Sequence, residues 1–191
     1  MIQYRALRAD EIHRDLFRFF IRHQVVTRCW RREAGTWVIR DVPFIDDWSE
    51  AEYEELVSCL KNTVNTGGLV YGAFRDGRLK GFVSVEREVF GGENRYLDLS
   101  SLHVSEDMRR MGIGSVLFRA AAGWARSHGG RKLYISAHSA VESQAFYHKM
   151  GCVEAEEYDP AHTAAEPCDC QLEYLLTDQT LNSHEKHCHH S

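Results

Sequence analysis

The stretch from Tyr96 to His128 constrains the fold more tightly than any other part of the chain. It opens as an apolar strand, Tyr96–Val104, interrupted by the acidic Asp98. A polar turn, Ser105–Met108, leads into Arg109-Arg110-Met111-Gly112-Ile113-Gly114-Ser115 and then into a helix. The helix carries Leu117, Ala120, Ala121, Trp124 and Ala125 at i, i+3, i+4, i+7 and i+8, the spacing of a single buried face. A strand feeding a glycine turn at a helix start makes an anion site. The first helical N–H groups lack intrahelical partners, the helix dipole places partial positive charge there, and glycine lets a ligand approach the backbone.

Two familiar phosphate-binding patterns are excluded by single residues. A dinucleotide fingerprint needs a third glycine where this chain has Leu117, and a P-loop needs Lys followed by Ser or Thr, which is missing after Gly114. What remains is Arg109-x-x-Gly112-x-Gly114, behind a hydrophobic strand and ahead of an amphipathic helix.

At 191 residues the chain can form one domain with a full core. A formal charge of −5 argues against general attraction to nucleic acid or anionic membranes and weakly favours cationic substrates. No apolar run reaches the length of a membrane span, and Met1–Arg5 lacks a signal-peptide core, so a cytoplasmic location is expected. The six cysteines, at 29, 59, 152, 168, 170 and 188, form no CxxC pair and are read as reduced thiols. Cys168-Asp169-Cys170 and the tail residues His184, His187, Cys188, His189 and His190 fit no zinc spacing, so no metal site is expected.

In chain order, Ile2–Leu7 reads as a strand and Asp10 as the cap of a helix with Ile12, Leu16, Phe19 and Phe20 on its apolar face. His23–Asp47 reads as the end of that helix plus a long aromatic loop. Ser49-x-x-Glu52 is a capping box opening a helix that ends before Gly67-Gly68. Leu69–Phe74 and Leu79–Val89 are strands joined by an Asp76-Gly77 hairpin turn. Lys132–Ala137 is a short buried strand, making a parallel βαβ crossover with the central helix. A second capping box, Ser139-x-x-Glu142, opens a helix closed by Gly151. Val153–Tyr158 and Gln171–Leu176 are expected as final strands joined by Asp159–Asp169. The domain is placed at residues 1–176, with a polar, disordered tail at 177–191.

The pattern Arg109-x-x-Gly112-x-Gly114 resembles the acyl-CoA signature of the GCN5-related N-acetyltransferases (GNAT). The second capped helix ends Ser143-Gln144-Ala145-Phe146-Tyr147-His148-Lys149-Met150-Gly151-Cys152, which resembles the other signature of that family at the usual distance. Ala140, Ser143 and Cys152 depart from the family's common Asn, Ala and Phe. The resemblance implies an α/β (α+β) fold: a mixed sheet of about six to seven strands flanked by helices, splayed between the strand ending at Val104 and Lys132–Ala137. It implies acetyl-CoA as co-substrate. The backbone of Leu102, His103 and Val104 would meet the pantetheine arm. Arg109, Arg110, Met111, Gly112, Ile113, Gly114 and Ser115 would hold the pyrophosphate.

The implied reaction is direct acetyl transfer to an amine of a small molecule or peptide, with a homodimer left open as the assembly. Such transfer needs a base for the ammonium and an acid for the departing thiolate. Tyr147 matches the family's acid by position. For the base, Asp98 is first choice because an unpaired carboxylate in an apolar strand is costly without a role. By simple alternation Asp98 shares a face with Leu102 and Val104. Glu86 is second, and His103 third should a bulge turn it to Asp98's face. The alternative reading is a non-catalytic CoA-binding or sensing module on the same fold.

Overall fold

Runs of apolar residues between glycine-bearing turns dictate most of the sheet. The computed structural model describes residues 1–177. Its strands are β1 (Ile2–Ala6), β2 (His23–Glu33), β3 (Thr36–Asp47), β4 (Leu69–Arg75), β5 (Arg78–Val85), β6 (Tyr96–Val104), β7 (Lys132–Ala137), β8 (Val153–Glu154) and β9 (Cys170–Leu175). The α-helices are α1 (Glu50–Asn65), α2 (Ile113–Ser127), α3 (Val141–Met150) and α4 (Pro160–Ala165). Seven strands form one sheet in the order β1-β4-β5-β6-β7-β9-β8, and β2 and β3 form a separate two-stranded hairpin. Only the β6–β7 pairing is parallel, and α2 is its crossover. The β4–β5 turn holds Asp76 and Gly77 at φ 52° and 74°, the left-handed pair that a tight hairpin requires.

The two faces of the sheet carry different cores. On one face Val83, Val85, Leu97, Leu99, Leu133, Ile135 and Leu172 pack against Ile113, Leu117, Phe118, Ala121 and Ala125 of α2, with Phe146 and Tyr147 of α3 alongside. On the other face Val70, Phe74, Leu79 and Phe82 pack against Tyr53 and Leu60 of α1. The start of α2 lies close on β5: a Cβ at Gly81 would come within 2.9 Å of Ile113 and 3.1 Å of Leu117.

Four local expectations are corrected. Asp10 opens no α-helix. Ala9–Glu11 and Arg14–Phe17 are separate 3-10 turns that bury Ile12, Phe17 and Phe20 while leaving Phe19 exposed, and the Asp10 carboxylate pairs with Arg8. His23–Asp47 is not helix and loop but the β2–β3 hairpin, turned at Ala34 and Gly35 with φ 49° and 78°. A bulge between Val26 and Arg28 and Pro43 within β3 disguise its alternation. Ser139 does not cap α3: Ala140 is the N-cap, and the Ser139 hydroxyl accepts a hydrogen bond from Arg31 of the hairpin at 2.6 Å. The segment after Gly151 keeps only Val153–Glu154 as strand, and Asp159–Asp169 contains α4, capped by Asp159 with Pro160 at its first turn. By contrast, the Ser49–Glu52 capping box forms in full. The tail histidines and Cys188 lie outside the described residues.

Leu117 is fully buried at the centre of the α2 face. Leu117→Ala is expected to cost about 2–5 kcal/mol of stability, read by urea unfolding.

Candidate active site

The site begins where a ladder stops. β6 and β7 pair only at Tyr96↔Lys132, Leu97↔Leu133 and Asp98↔Tyr134. Beyond Asp98 the strands diverge. β6 stays paired to β5 on its outer edge as far as Gly81↔Val104. The Ser105 N–H donates to the Lys80 carbonyl of β5 at 2.8 Å. Strand alternation therefore turns the N–H and C=O groups of Leu102 and Val104 away from β5, into the gap. An extended amide-bearing ligand can pair with such an edge.

At the mouth of the gap the chain builds an anion cradle. The Ser105 hydroxyl accepts from the Ile21 N–H at 2.8 Å, and Lys80 Nζ donates to Asp107 at 2.7 Å, which fixes the turn before the loop. Arg110 and Gly112 both have left-handed backbones, φ 65° and 78°. The first helical bond is Val116 N–H to Gly112 C=O, so the N–H groups of Ile113, Gly114 and Ser115 have no partner within α2. Left-handed residues leading into a helix start make a concave nest of N–H donors. The two glycines serve different ends. A Cβ at Gly112 would meet nothing within 4 Å, so its φ sets the requirement there, whereas a Cβ at Gly114 would press on Phe146 of α3 at 3.2 Å. Gly114 thus allows helix packing. Arg109 turns back, its Nε 3.4 Å from the Val104 carbonyl.

The face assignment of β6 departs from simple alternation. Ser101 pairs with Ser84 but Leu99 pairs with Val85, so Ser100 is an extra residue. Leu97 and Leu99 before it, and Leu102 and Val104 after it, all pack toward α2. Asp98 and His103 consequently share the opposite face, and Asp98 does not lie with Leu102 and Val104 as alternation implies. His103 sits against Trp48 and Phe82, with ring centroids at 4.7 and 5.5 Å. Burial, reinforced by the charges of Arg22 and Arg109, pushes its pKa down to about 3. Such an imidazole is neutral at physiological pH and too weak a base for an ammonium. By the same alternation its backbone N–H and C=O turn to Phe82 of β5 and not into the gap, so the expected backbone contact of His103 with the pantetheine arm does not follow.

The carboxylates gather behind the fork. The Asp98 side chain is 15% exposed and contacts His162 Nε2 through Oδ2 at 2.9 Å; its Oδ1 is buried without a hydrogen-bond partner among the described residues. Glu86 accepts from Thr63 at 3.0 Å and Ser100 at 3.4 Å, and burial, with Asp98's charge adding, raises its pKa. Asp169, bonded to Ser136 at 3.1 Å, is also raised by burial. Tyr147 lies on the α2 face beside Phe118 and Phe146. Burial drives its pKa above the usual tyrosine range, so the phenol keeps its proton. The structure therefore places Asp98 and Glu86 together and Tyr147 on the other face of the sheet. His162 was not singled out in the sequence; the Asp159-Pro160 cap-and-first-turn pair was the available signal for the helix that carries it.

The acetyltransferase (GNAT) family model matches residues 26–152, from β2 through the end of α3. The chain belongs to the GNAT acetyltransferase family. Solved structures agree on the fold. A nourseothricin acetyltransferase superposes with a TM-score of 0.67 at 19% identity, covering 92% of this chain and 99% of that one. A candidate streptothricin acetyltransferase from Bacillus anthracis strain Ames, crystallised with acetyl-CoA, gives 0.67 at 18% identity over 93% and 99%. An aminoglycoside 6'-N-acetyltransferase complexed with CoA gives 0.52 at 16% identity over 69% and 83%. No curated protein matches the chain by sequence.

The two glycines separate backbone conformation from packing. Gly112→Val forces a left-handed backbone on a β-branched residue, a strain of about 1–3 kcal/mol. Calorimetry is expected to show acetyl-CoA affinity lowered about tenfold or more, with the cooperative thermal unfolding transition retained.

Proposed function

We propose that this GNAT protein transfers the acetyl group of acetyl-CoA directly to a primary amine of a small cationic molecule, with Asp98 as base and Tyr147 as acid. The observation that carries the reading is the coincidence of the fork with Asp98: the last residue of the β6–β7 ladder is also the one with a buried, unengaged carboxylate oxygen. The residues suit the co-substrate. The free edge at Leu102 and Val104 suits its amide-bearing arm, and the open nest at Gly112 suits its phosphates. When bound, acetyl-CoA supplies an activated acetyl thioester.

The chain's own groups handle the protons. An acceptor amine arrives protonated, and Asp98 Oδ1 receives a proton from that ammonium, freeing the nitrogen lone pair for attack. Tyr147 donates its hydroxyl proton to the departing sulfur and recovers one as the amide forms. The net proton leaves through Asp98 to solvent. Glu86, held protonated more readily by burial, lies close enough to Asp98 to feel its charge and is the reserve base.

Acceptor class follows from charge. Asp98, Glu86 and Asp169 on one face favour a cation, in keeping with the antibiotic acceptors named for structural neighbours. Among the described residues no helix is long and apolar enough to cross a membrane. We place the activity in the cytoplasm, where acetyl-CoA is made and used.

Release of CoA thiol is expected with at least one member of a panel of streptothricin, aminoglycosides, diamines and amino acids. Silence across the panel from protein that binds acetyl-CoA would favour the non-catalytic module instead. With an acceptor in hand, Tyr147→Phe is expected to lower kcat by roughly 10²–10⁴-fold with acetyl-CoA affinity unchanged. Asp98→Asn is expected to depress kcat/KM and remove the acidic limb of its pH profile, whereas Glu86→Gln should leave that limb in place.

A further inference from the structure

His162 belongs to no motif and lies beyond the matched family region, on a six-residue helix. Its placement is nevertheless fixed from three sides. Its Nε2 meets Asp98 Oδ2 at 2.9 Å, its ring stacks on Tyr134 at 5.4 Å and 21°, and its N–H donates to its own N-cap, Asp159, at 3.3 Å. The cap is anchored in turn, because the Asp159 N–H donates to the Tyr134 hydroxyl at 2.9 Å. Tyr134 is the partner of Asp98 at the last rung of the β6–β7 ladder. One rung therefore locates both the carboxylate and the imidazole.

We infer that His162 is a positioning residue for the transfer reaction: it engages Asp98 Oδ2 and so reserves Oδ1, buried and without a partner among the described residues, for the proton of the acceptor ammonium. The inference rests on the reading of Asp98 as base. A carboxylate has two oxygens, and a buried one with neither engaged can rotate or take a proton from solvent. Here one oxygen is claimed by a ring N–H and the other has no partner among the described residues. The charges around the pair make the imidazolium useful. Glu86 on the β5 side, Asp159 on α4 and Asp169 before β9 are all acidic, and Tyr134 on β7 is neutral. Without a cation beside it, Asp98 would face Glu86 across adjacent strands with only like charge nearby.

The imidazole responds in the same sense. Its hydrogen bond to Asp98, set against burial, raises its pKa above the ordinary histidine value. A raised folded-state pKa means the protonated ring is the form the fold favours. The clasp is complete below the ordinary histidine range and weakens as pH rises through the raised value. Over the acidic limb, where Asp98 must ionise to act, His162 is charged. Proton bookkeeping for the transfer is unaltered, since His162 neither gains nor loses a proton in the cycle.

Two measurements test this. In the first, the His162 ring is titrated by NMR in the intact chain, with no acceptor present. The wild type is expected to titrate above the ordinary range, and Asp98→Asn to bring it back down. A ring that titrates normally in the wild type, or is unmoved by Asp98→Asn, overturns the clasp. In the second, pH profiles of kcat/KM are taken with streptothricin as probe. His162→Ala is expected to move the acidic limb up by about one to three pH units, the effect of removing an opposite charge at this range. Acetyl-CoA affinity by calorimetry should hold. His162→Gln keeps a neutral donor and is expected to show the same shift with more of the plateau rate restored; it also carries the test should the alanine variant not fold. A merely structural histidine would lower the plateau and leave the limb where it is, which overturns the inference. The two readings fail separately. A limb that survives Asp98→Asn removes Asp98 as base, whereas a limb lost in Asp98→Asn but fixed in both His162 variants removes only His162. Were streptothricin not turned over, the ring titration decides the clasp by itself.

Discussion

Three rungs of parallel pairing hold β6 to β7, and the site depends on where they end. Strand separation exposes unpaired backbone groups, a cost that folded proteins avoid unless water or a ligand satisfies them. Here the separation is imposed from both sides. The pairing of β6 with β5 continues to Val104, and that of β7 with β9 continues to Ala137, so each strand stays in its own half of the sheet as they part. The side chains of Leu102 and Val104 remain packed toward α2 while their backbone groups face the gap. The opening is thus bounded by two packed half-sheets and is not a frayed end.

The single extra residue at Ser100 divides the labour along β6. Without it, Asp98 would share a face with Leu102 and Val104, and its carboxylate would project into the apolar layer under α2. An ionised carboxylate there would be strongly unfavourable. With the bulge, Leu97, Leu99, Leu102 and Val104 all serve the α2 core, while Asp98 and His103 project to the far side. One strand then carries free backbone groups along the gap and polar side chains on the opposite face.

The legibility of this arrangement in the sequence follows its physical origin. Tyr96–Val104, the helix after Gly112, Lys132–Ala137 and the Asp76-Gly77 hairpin were readable because local spacing and turn chemistry alone specify them. The hairpin at 23–47 was not. Its strands bury little of their own, and Val26, Cys29 and Phe44 gain cover only by docking on Ala140 and His138 beyond β7. Ser139 misled for the same reason: a remote arginine, Arg31, uses the hydroxyl that would otherwise cap α3. The bulge at Ser100 is a relation between two strands and leaves no mark on one. Asp98 and Glu86 could be picked out as polar residues in apolar surroundings, but His162 reaches Asp98 across 64 positions and is visible only in the fold.

The two ends of β6 on the acceptor face carry opposite fields. Toward Val104, burial keeps His103 neutral, with the charges of Arg22 and Arg109 adding to the effect. Arg22 itself is held by Asp46 at 2.7 Å and lies over Trp48. Toward the fork, Asp98, Glu86 and Asp169 collect, with His162 against Asp98 and both His138 and His162 near Asp169. Burial raises the pKa values of Glu86 and Asp169, and the charge of His162 opposes it only at Asp169. On the proposed reading, an incoming ammonium would add positive charge beside the Asp98 oxygen that lacks a partner among the described residues. A basic end suited to anions and an acidic end suited to cations, set about one strand apart, give the cleft a polarity. On the proposed reading, that polarity would draw the phosphates of acetyl-CoA and the amine of the acceptor to opposite ends before any group reacts.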